Sequence, residues 1–357
     1  MVSVQGATVT YAATPALKDV SVDIAKGEFL TLLGPSGSGK TTLLNAIAGI
    51  VPLTRGQILI DGTDVTHVPL NLRGLGMVFQ NYALMPHLTV FENVAFPLRV
   101  RGLASATIRQ KVSKALDLVR LTGLDQRRPR QLSGGQQQRV SLARAIVYEP
   151  KVILMDEPLG ALDKQLREEM QVEIRHLHVV LGTTIIYVTH DQEEALSMST
   201  NIALVSDGVI RETGAPQDIY FKPRSRFAAS FVGTSNLLSG TYEGSEGKWA
   251  TVSVSGRSRI RGVAHENLSI GDRVSIMFRP EVVQITQDAN EASPDLNVID
   301  GDVFDHFLQG ATWKTIVAVG DADRVIVQCL AQSSGQLPRN TKVRLAWHPD
   351  DTHLLTR

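Results

Sequence analysis

The 357-residue sequence predicts an α/β core with a mostly parallel sheet, an inserted helical subdomain, and a smaller all-β C-terminal domain. Three observations carry this expectation. Strand-like and helix-like segments alternate on both sides of residues 85–150, the pattern of a parallel sheet covered on both faces. That intervening stretch of about 65 residues reads as helix alone. Beyond Gly233 the helical period stops and a period of two takes over.

Val2–Thr10, Leu17–Ile24 and Glu28–Leu33 read as short strands, broken by Pro15 and Gly27. The last of them runs into Gly34-Pro35-Ser36-Gly37-Ser38-Gly39-Lys40-Thr41, which fits G-x-x-x-x-G-K-[ST] and is followed by the helical Thr42–Ala48. Glycines let backbone N–H groups turn inward around anionic phosphates, and a helix N-terminus adds its positive dipole end. Lys40 is expected to reach the β- and γ-phosphates, and Thr41 to ligate Mg²⁺. Gly34, Ser36, Gly37, Ser38, Gly39 and Thr42 complete the expected nucleotide-binding set. The plainer reading is a glycine-rich turn, but it gives no reason for Lys and Thr at the demanded offsets. The core is therefore expected to be a P-loop NTPase that binds a nucleoside triphosphate.

Strand-like Gln57–Ile60 and Leu75–Phe79 come next, and at Met85 the character changes. Thr89-Val90-Phe91-Glu92 fits a capping box and opens a helix to about Arg101. Ile108, Val112, Ala115, Leu116 and Val119 mark a half-buried helix over 106–121, and Ser133 to Gln136 opens a third, through Val147. The α/β pattern resumes with strand Lys151–Met155 and a helix from Asp163. Strand Thr184–Val188, helix Gln192–Met198 and strand Ile202–Ser206 follow. In the tail, Val274/Ile276/Phe278, Trp313–Val319, Val325–Val327 and Val343/Leu345/Trp347 alternate between Gly, Asp, Asn and Pro breaks. They predict a barrel or sandwich, most simply an OB-like barrel, over 233–357 after a nucleotide-binding domain at 1–232.

Composition removes several function classes. Thirty-six basic residues balance thirty-six acidic ones, so no net field draws the chain to nucleic acid or anionic lipid. The one cysteine, Cys329, sits in an alternating apolar run and is expected in the core, and a single cysteine supports neither a disulfide framework nor a zinc cluster. His176 and His178, two apart on one helix, do not face each other and make no metal set. The start of the sequence shows no secretion signal, and no apolar run approaches the ~18–20 residues that cross a bilayer. An intracellular chain is expected, meeting any membrane through a partner.

Two further signals carry chemistry. Val152-Ile153-Leu154-Met155-Asp156-Glu157 delivers adjacent carboxylates at a strand's C-terminal end, where parallel sheets bind ligands. Alternation sends them in different directions, so Asp156 is expected to face Mg²⁺ and Glu157 to act as general base for the attacking water. Leu132-Ser133-Gly134-Gly135-Gln136 places two glycines and a Ser hydroxyl at a helix start, a second place for an anion or an ordinary N-cap.

Leu-Ser-Gly-Gly-Gln resembles the signature of the ATP-binding cassette (ABC) family, and residues 1–232 resemble that family throughout. The resemblance implies that Tyr11 stacks on adenine, an edge-strand aromatic being the plainer reading. It also implies that Gln80 and His190 are switch residues beside the γ-phosphate, with Gln80 reaching the metal, and that Asp163 lies in a loop crossing a dimer interface. Met85 and Gly160 depart from the commonest family forms, at positions without chemistry. Two copies facing head to tail would then place Ser133, Gly134, Gly135 and Gln136 of each over the other's ATP.

Phe278-Arg279-Pro280-Glu281, and Gly214–Tyr220 with Pro223 and Phe231-Val232-Gly233, resemble the tail and linker of importer ATPases of the maltose, polyamine and iron type. That likeness implies permease subunits gripped at Gln80–Thr89 and, indirectly, a solute-binding protein. Phe91–Phe96 and Thr189–Leu196 look most like spermidine/putrescine importers, with iron(III), aminoethylphosphonate and sugar importers as alternatives. A soluble ABC ATPase acting on DNA or ribosomes, or a nucleotide kinase, fits less well. The former usually carries coiled coils, zinc cysteines or fused cassettes, and the latter needs no signature or β tail.

Overall fold

The computed structural model describes all residues except 13, 255–257, 287–294, 321, 333–336 and 357. The chain divides into two compact units, Met1–Pro216 and Gln217–Arg357, so the division falls ahead of the boundary at 232 expected from the sequence.

In the first unit, β1 (Val2–Tyr11), β2 (Thr14–Ile24) and β3 (Phe29–Leu33) lead into α1 (Lys40–Ala48), followed by β4 (Arg55–Ile60), β5 (Thr63–Asp64) and β6 (Gly76–Val78). The helical block is α2 (Val90–Val100), α3 (Ser105–Leu118) and α4 (Gly134–Ile146). The core then continues through β7 (Val152–Asp156), α5 (Lys164–Leu181), β8 (Thr184–Thr189), α6 (Gln192–Met198), β9 (Asn201–Ser206) and β10 (Val209–Gly214). β10-β9-β3-β8-β7-β6 form one sheet, parallel except for edge strand β10, and β2-β1-β4-β5 form a smaller antiparallel sheet.

Period-two alternation divides the apolar side chains between two cores. Leu30, Leu32, Val152, Leu154, Ile186 and Val188 join α1 and the antiparallel sheet. Phe29, Ile153, Met155, Ile185 and Tyr187, one position out of step, pack with α2 to α5. Burial on both faces explains why β3 and β8 read as nearly continuous apolar runs. Thr89 closes a full capping box with Glu92 at the start of α2, and Pro97 lies inside the same helix. Among the described residues no helix is long and apolar enough to cross a membrane.

The second unit is all-β after two short helices, α7 (Pro216–Phe221) and α8 (Arg226–Phe231). Its strands are β11 (Asn236–Glu246), β12 (Trp249–Val254), β13 (Ser258–Ala264), β14 (Arg273–Phe278), β15 (Gln284–Thr286), β16 (Asn297–Gln309), β17 (Thr312–Val319), β18 (Asp323–Leu330), β19 (Lys342–Trp347) and β20 (His353–Leu355). β11-β12-β13-β20-β14 close into a barrel, and β15-β19-β16-β17-β18 form a second sheet that the sequence reading did not separate. Val325 and Val327 point into the core, but Cys329, in register with them near the end of edge strand β18, is half-buried rather than core.

Arg279 explains the Arg-Pro-Glu sequence. It is 2% exposed and donates to Val232 O at 2.7 Å, Thr234 O at 3.2 Å and Ser235 Oγ at 2.7 Å, and also to Tyr220 O. Tyr220 lies under its guanidinium and donates to Glu281 Oε1 at 2.8 Å. One buried cation thus ties α7 and the end of α8 to the barrel. Replacing Arg279 with Met strands several carbonyls, and we expect about 3 kcal/mol of destabilisation. Trp249, Trp313 and Trp347 are the chain's three tryptophans and all lie in this unit, so the urea midpoint of tryptophan fluorescence reads it alone.

His353 makes the same unit acid-sensitive. Burial, then the neighbouring His265, pushes its imidazole down to about 4 from an ordinary 6.5. Between these values the unfolded chain takes up a proton that the folded chain refuses. Stability is therefore complete above pH 6.5 and falls by about 3 kcal/mol as pH drops to 4. The fluorescence midpoint should lose less over this window in His353→Gln than in the unsubstituted chain; equal losses would reject the assignment.

Candidate nucleotide-hydrolysis site

The site is assembled at the carboxyl ends of β3, β6, β7 and β8, where the four strands release their loops side by side. Residues 34–39 turn tightly against their surroundings. Gly39 precedes α1 at φ 105°, and a Cβ on it would stand 2.7 Å from Ala16 O. A Cβ on Gly34 would come within 2.0 Å of Val205 O. Lys40 is 4% exposed, and its Nζ donates to Gly34 O and Pro35 O at 2.8 Å each, folding the loop around the ammonium. Burial lowers its pKa, while Glu157 and Asp156 act in the opposite direction.

Beside the loop, Thr41 Oγ1 donates to Asp156 Oδ1 at 2.9 Å. Burial pushes the Asp156 carboxyl up, and the Thr41 hydrogen bond opposes it. Glu157 turns the other way. Gln80 Nε2 donates to its Oε2 at 3.2 Å, and His190 Nδ1 lies 3.1 Å from its Oε1. A carboxylate can only accept, which assigns the proton to Nδ1. Glu157 also adopts φ 41°, an uncommon left-handed conformation for a side chain of this size, while its N–H donates to Val188 O at 3.0 Å. Strand ends separated by more than 100 positions in sequence are thereby gathered on one carboxylate pair.

Tyr11 ends β1, paired with Thr14 of β2, and is exposed; Ala16, on the same β2, supplies the carbonyl that Gly39 approaches. Ser36 and Gly37 are exposed on the loop, whereas Ser38 is buried and Thr42 half-buried on α1. Ser133 caps α4 through a reciprocal capping box with Gln136, leaving Ser133 and Gly134 exposed at the helix start and Gly135 buried. Asp163 caps α5 by accepting Leu166 N–H at 3.0 Å. No hydrogen bond in this chain joins Ser133–Gln136 to the Lys40 or Glu157 cluster among the described residues.

Two arginines at the site escaped the sequence reading. Arg144 of α4 donates to Tyr82 O and Ala83 O at 2.7 Å each, holding a loop in which both residues have positive φ. Arg167 of α5 donates to Leu162 O and Asp191 Oδ2. The available signal was a cation on a helix read from its S-x-x-Q start, for Arg144, or from its apolar stripe, for Arg167.

The donor set fits a hard cation. A hydroxyl and a carboxylate oxygen already meet at Thr41 and Asp156, with the Gln80 amide nearby on Glu157. Among the described residues no group of three or more His, Cys, Asp or Glu could hold a metal.

A family profile described as ABC transporter matches residues 17–160, and one described as TOBE domain matches 276–355. The chain is 41% identical over 345 residues to a spermidine/putrescine import ATP-binding protein of Thermotoga maritima, covering 95% of this chain and 93% of that one. A protein of the same description from Acetivibrio thermocellus is 40% identical over all of this chain and 97% of its own. Among solved structures, the dimeric post-hydrolysis ATP-binding cassette MJ0796 bound to ADP and Pi is 33% identical, with a TM-score of 0.55 over 60% of this chain and 99% of that one. CbiO1 of Clostridium perfringens, part of the cbiONQ transporter complex, is 30% identical at a TM-score of 0.58, over 62% and 90%. With full-length likeness of this order, the chain belongs to the ABC transporter ATPase family.

Proposed function

We propose that the chain is the ATP-hydrolysing subunit of an importer that takes up a polyamine of the spermidine/putrescine type. The observation that carries the chemistry is the Glu157 carboxylate, held between Gln80 and His190 while Asp156 turns to Thr41 of the phosphate loop. In this reading, Lys40 and the N–H groups of Gly34–Thr41 bind the triphosphate. Thr41, Asp156 and Gln80 hold Mg²⁺, which neutralises charge on the phosphates when bound. Glu157 takes the proton of the attacking water, and His190 orients both that carboxylate and the γ-phosphate. Tyr11 stacks on the adenine.

Ser133–Gln136 and Asp163 then serve the ATP of a second copy facing head to tail, so each nucleotide is gripped from two sides. Hydrolysis removes the shared γ-phosphate contacts and loosens the pair, which is how a ligand present in only one state drives a switch. Docking to permease subunits, and through them to a solute-binding protein, would hold the chain at the cytoplasmic face of the membrane. Two features support a contact at the 80–89 loop. Asn93 pins it by accepting from Met85 N–H at 2.8 Å, and α2 beside it exposes Phe96 and Val100.

Cargo is tested in cells of the source strain lacking this chain. Radiolabelled spermidine or putrescine uptake should fall and return with the native sequence but not with Glu157→Gln. Normal polyamine uptake, with loss of iron(III), aminoethylphosphonate or sugar uptake, would reassign the cargo and leave the ATPase reading standing.

A further inference from the structure

The loop at Glu157–Asp163 and the loop at His190 are joined by a side chain outside every sequence motif. Arg167, half-buried in the first turns of α5, donates through Nη2 to Leu162 O at 3.2 Å, one residue before Asp163. Through Nη1 it donates to Asp191 Oδ2 at 3.1 Å, one residue after His190. Glu194, 3% exposed, brings Oε1 to 3.9 Å from the Arg167 Nε.

This group also fixes both chain neighbours of His190. Thr189 Oγ1 donates to Glu194 Oε2 at 2.7 Å and accepts Asp191 N–H at 3.0 Å. Asp191 Oδ1 accepts the N–H groups of Glu193 and Glu194, at 2.8 and 3.2 Å, capping α6. Tyr187 OH donates to the same Glu194 oxygen at 2.7 Å. The His190 imidazole is itself exposed, so its approach to Glu157 is set largely by the backbone on either side. A polar cavity of about 40 Å³, large enough for one water, is lined by Glu157, His190, Arg167 and Glu194 among others.

We infer that Arg167 is a positioning residue for hydrolysis, coupling the loop that carries Asp163 to the placement of His190 against Glu157. This rests on the assignment of Glu157 and His190 given above. The guanidinium suits the task because its planar fork serves two acceptors in different directions at once, which an ammonium cannot do with the same geometry. Arg167 makes no hydrogen bond to the phosphate loop, so its loss acts on turnover and leaves binding alone. Small displacements of a catalytic group are costly: about 1 Å can remove on the order of 10²-fold in rate.

The test compares Arg167→Met, Arg167→Lys, Asp191→Asn and the Arg167→Met/Asp191→Asn double variant in the full chain. We measure kcat for ATP hydrolysis and Kd for a fluorescent ATP analogue. Arg167→Met should lower kcat on the order of 10–100-fold with Kd within about twofold, and Arg167→Lys should recover part of the loss. The double variant should be little worse than either single one, since both remove one link. Should Arg167→Met fold poorly, Asp191→Asn provides the same readout from the other end of the ion pair. Unchanged kcat, additive losses, or a matching loss of ATP affinity would overturn the inference. Rapid turnover by Glu157→Gln would instead remove the assignment beneath it.

Discussion

Glu157→Gln is expected to bind ATP as the unsubstituted chain does and to hydrolyse it about 10²–10⁴-fold more slowly, the usual contribution of a positioned general base. The amide conserves volume and can still accept from Gln80, whose Nε2 lies 3.2 Å from Oε2, so the loop should keep its shape. What disappears is the basic oxygen facing His190 at 3.1 Å. Glu157 also keeps a left-handed backbone at φ 41°, which the substitution to glutamine leaves unchanged in steric demand. Single-turnover hydrolysis beside an equilibrium nucleotide titration separates the two effects. Loss of hydrolysis within tenfold of wild type would point to another base.

The second large effect is on binding. Lys40→Ala removes a nearly fully buried ammonium that the loop encircles through Gly34 O and Pro35 O. In the nucleotide complex this cation would form charge-assisted hydrogen bonds to phosphate oxygens. At about 1.5–3 kcal/mol each, two such bonds correspond to a factor of about 10²–10⁴ in affinity. Tryptophan fluorescence should not change, since all three indoles lie in the other unit. A nucleotide Kd within threefold of the native value would contradict the assigned role of Lys40.

Much of this site was readable from the sequence because its parts are local in character. Gly34–Thr41 follows a strand and opens a helix, and both features are visible in a short window. The strand leading to Asp156 and Glu157, and the S-x-x-Q start at Ser133, are likewise local signals. What the sequence could not supply is convergence. Nothing in the spacing states that Gln80, Glu157 and His190 share hydrogen bonds; parallel strand pairing brings them together through tertiary structure.

The same reason hid Arg144 and Arg167, whose partners are backbone carbonyls and a carboxylate in other elements. In the second unit, alternation identified inward positions such as Val274, Ile276 and Val343, all buried. It could not tell a closed barrel from an added sheet, because register and closure leave little trace in a period-two pattern. Cys329 shows the limit at single-residue scale: its parity was correct, but the core ends before the strand does.

If ATP is gripped between two copies of this chain as proposed, the phosphate loop of one copy and the Ser133–Gln136 segment of the other lie close together only when ATP is bound. The most direct measurement places cysteines at the exposed positions Ser36 and Ser133 in a Glu157→Gln chain with Cys329→Ser, and treats it with a short bismaleimide. Doubled mass on a denaturing gel is expected with Mg-ATP, little with ADP, and none when Lys40→Ala is added. Cross-linking independent of nucleotide, or absent while ATP is demonstrably bound, would contradict that arrangement.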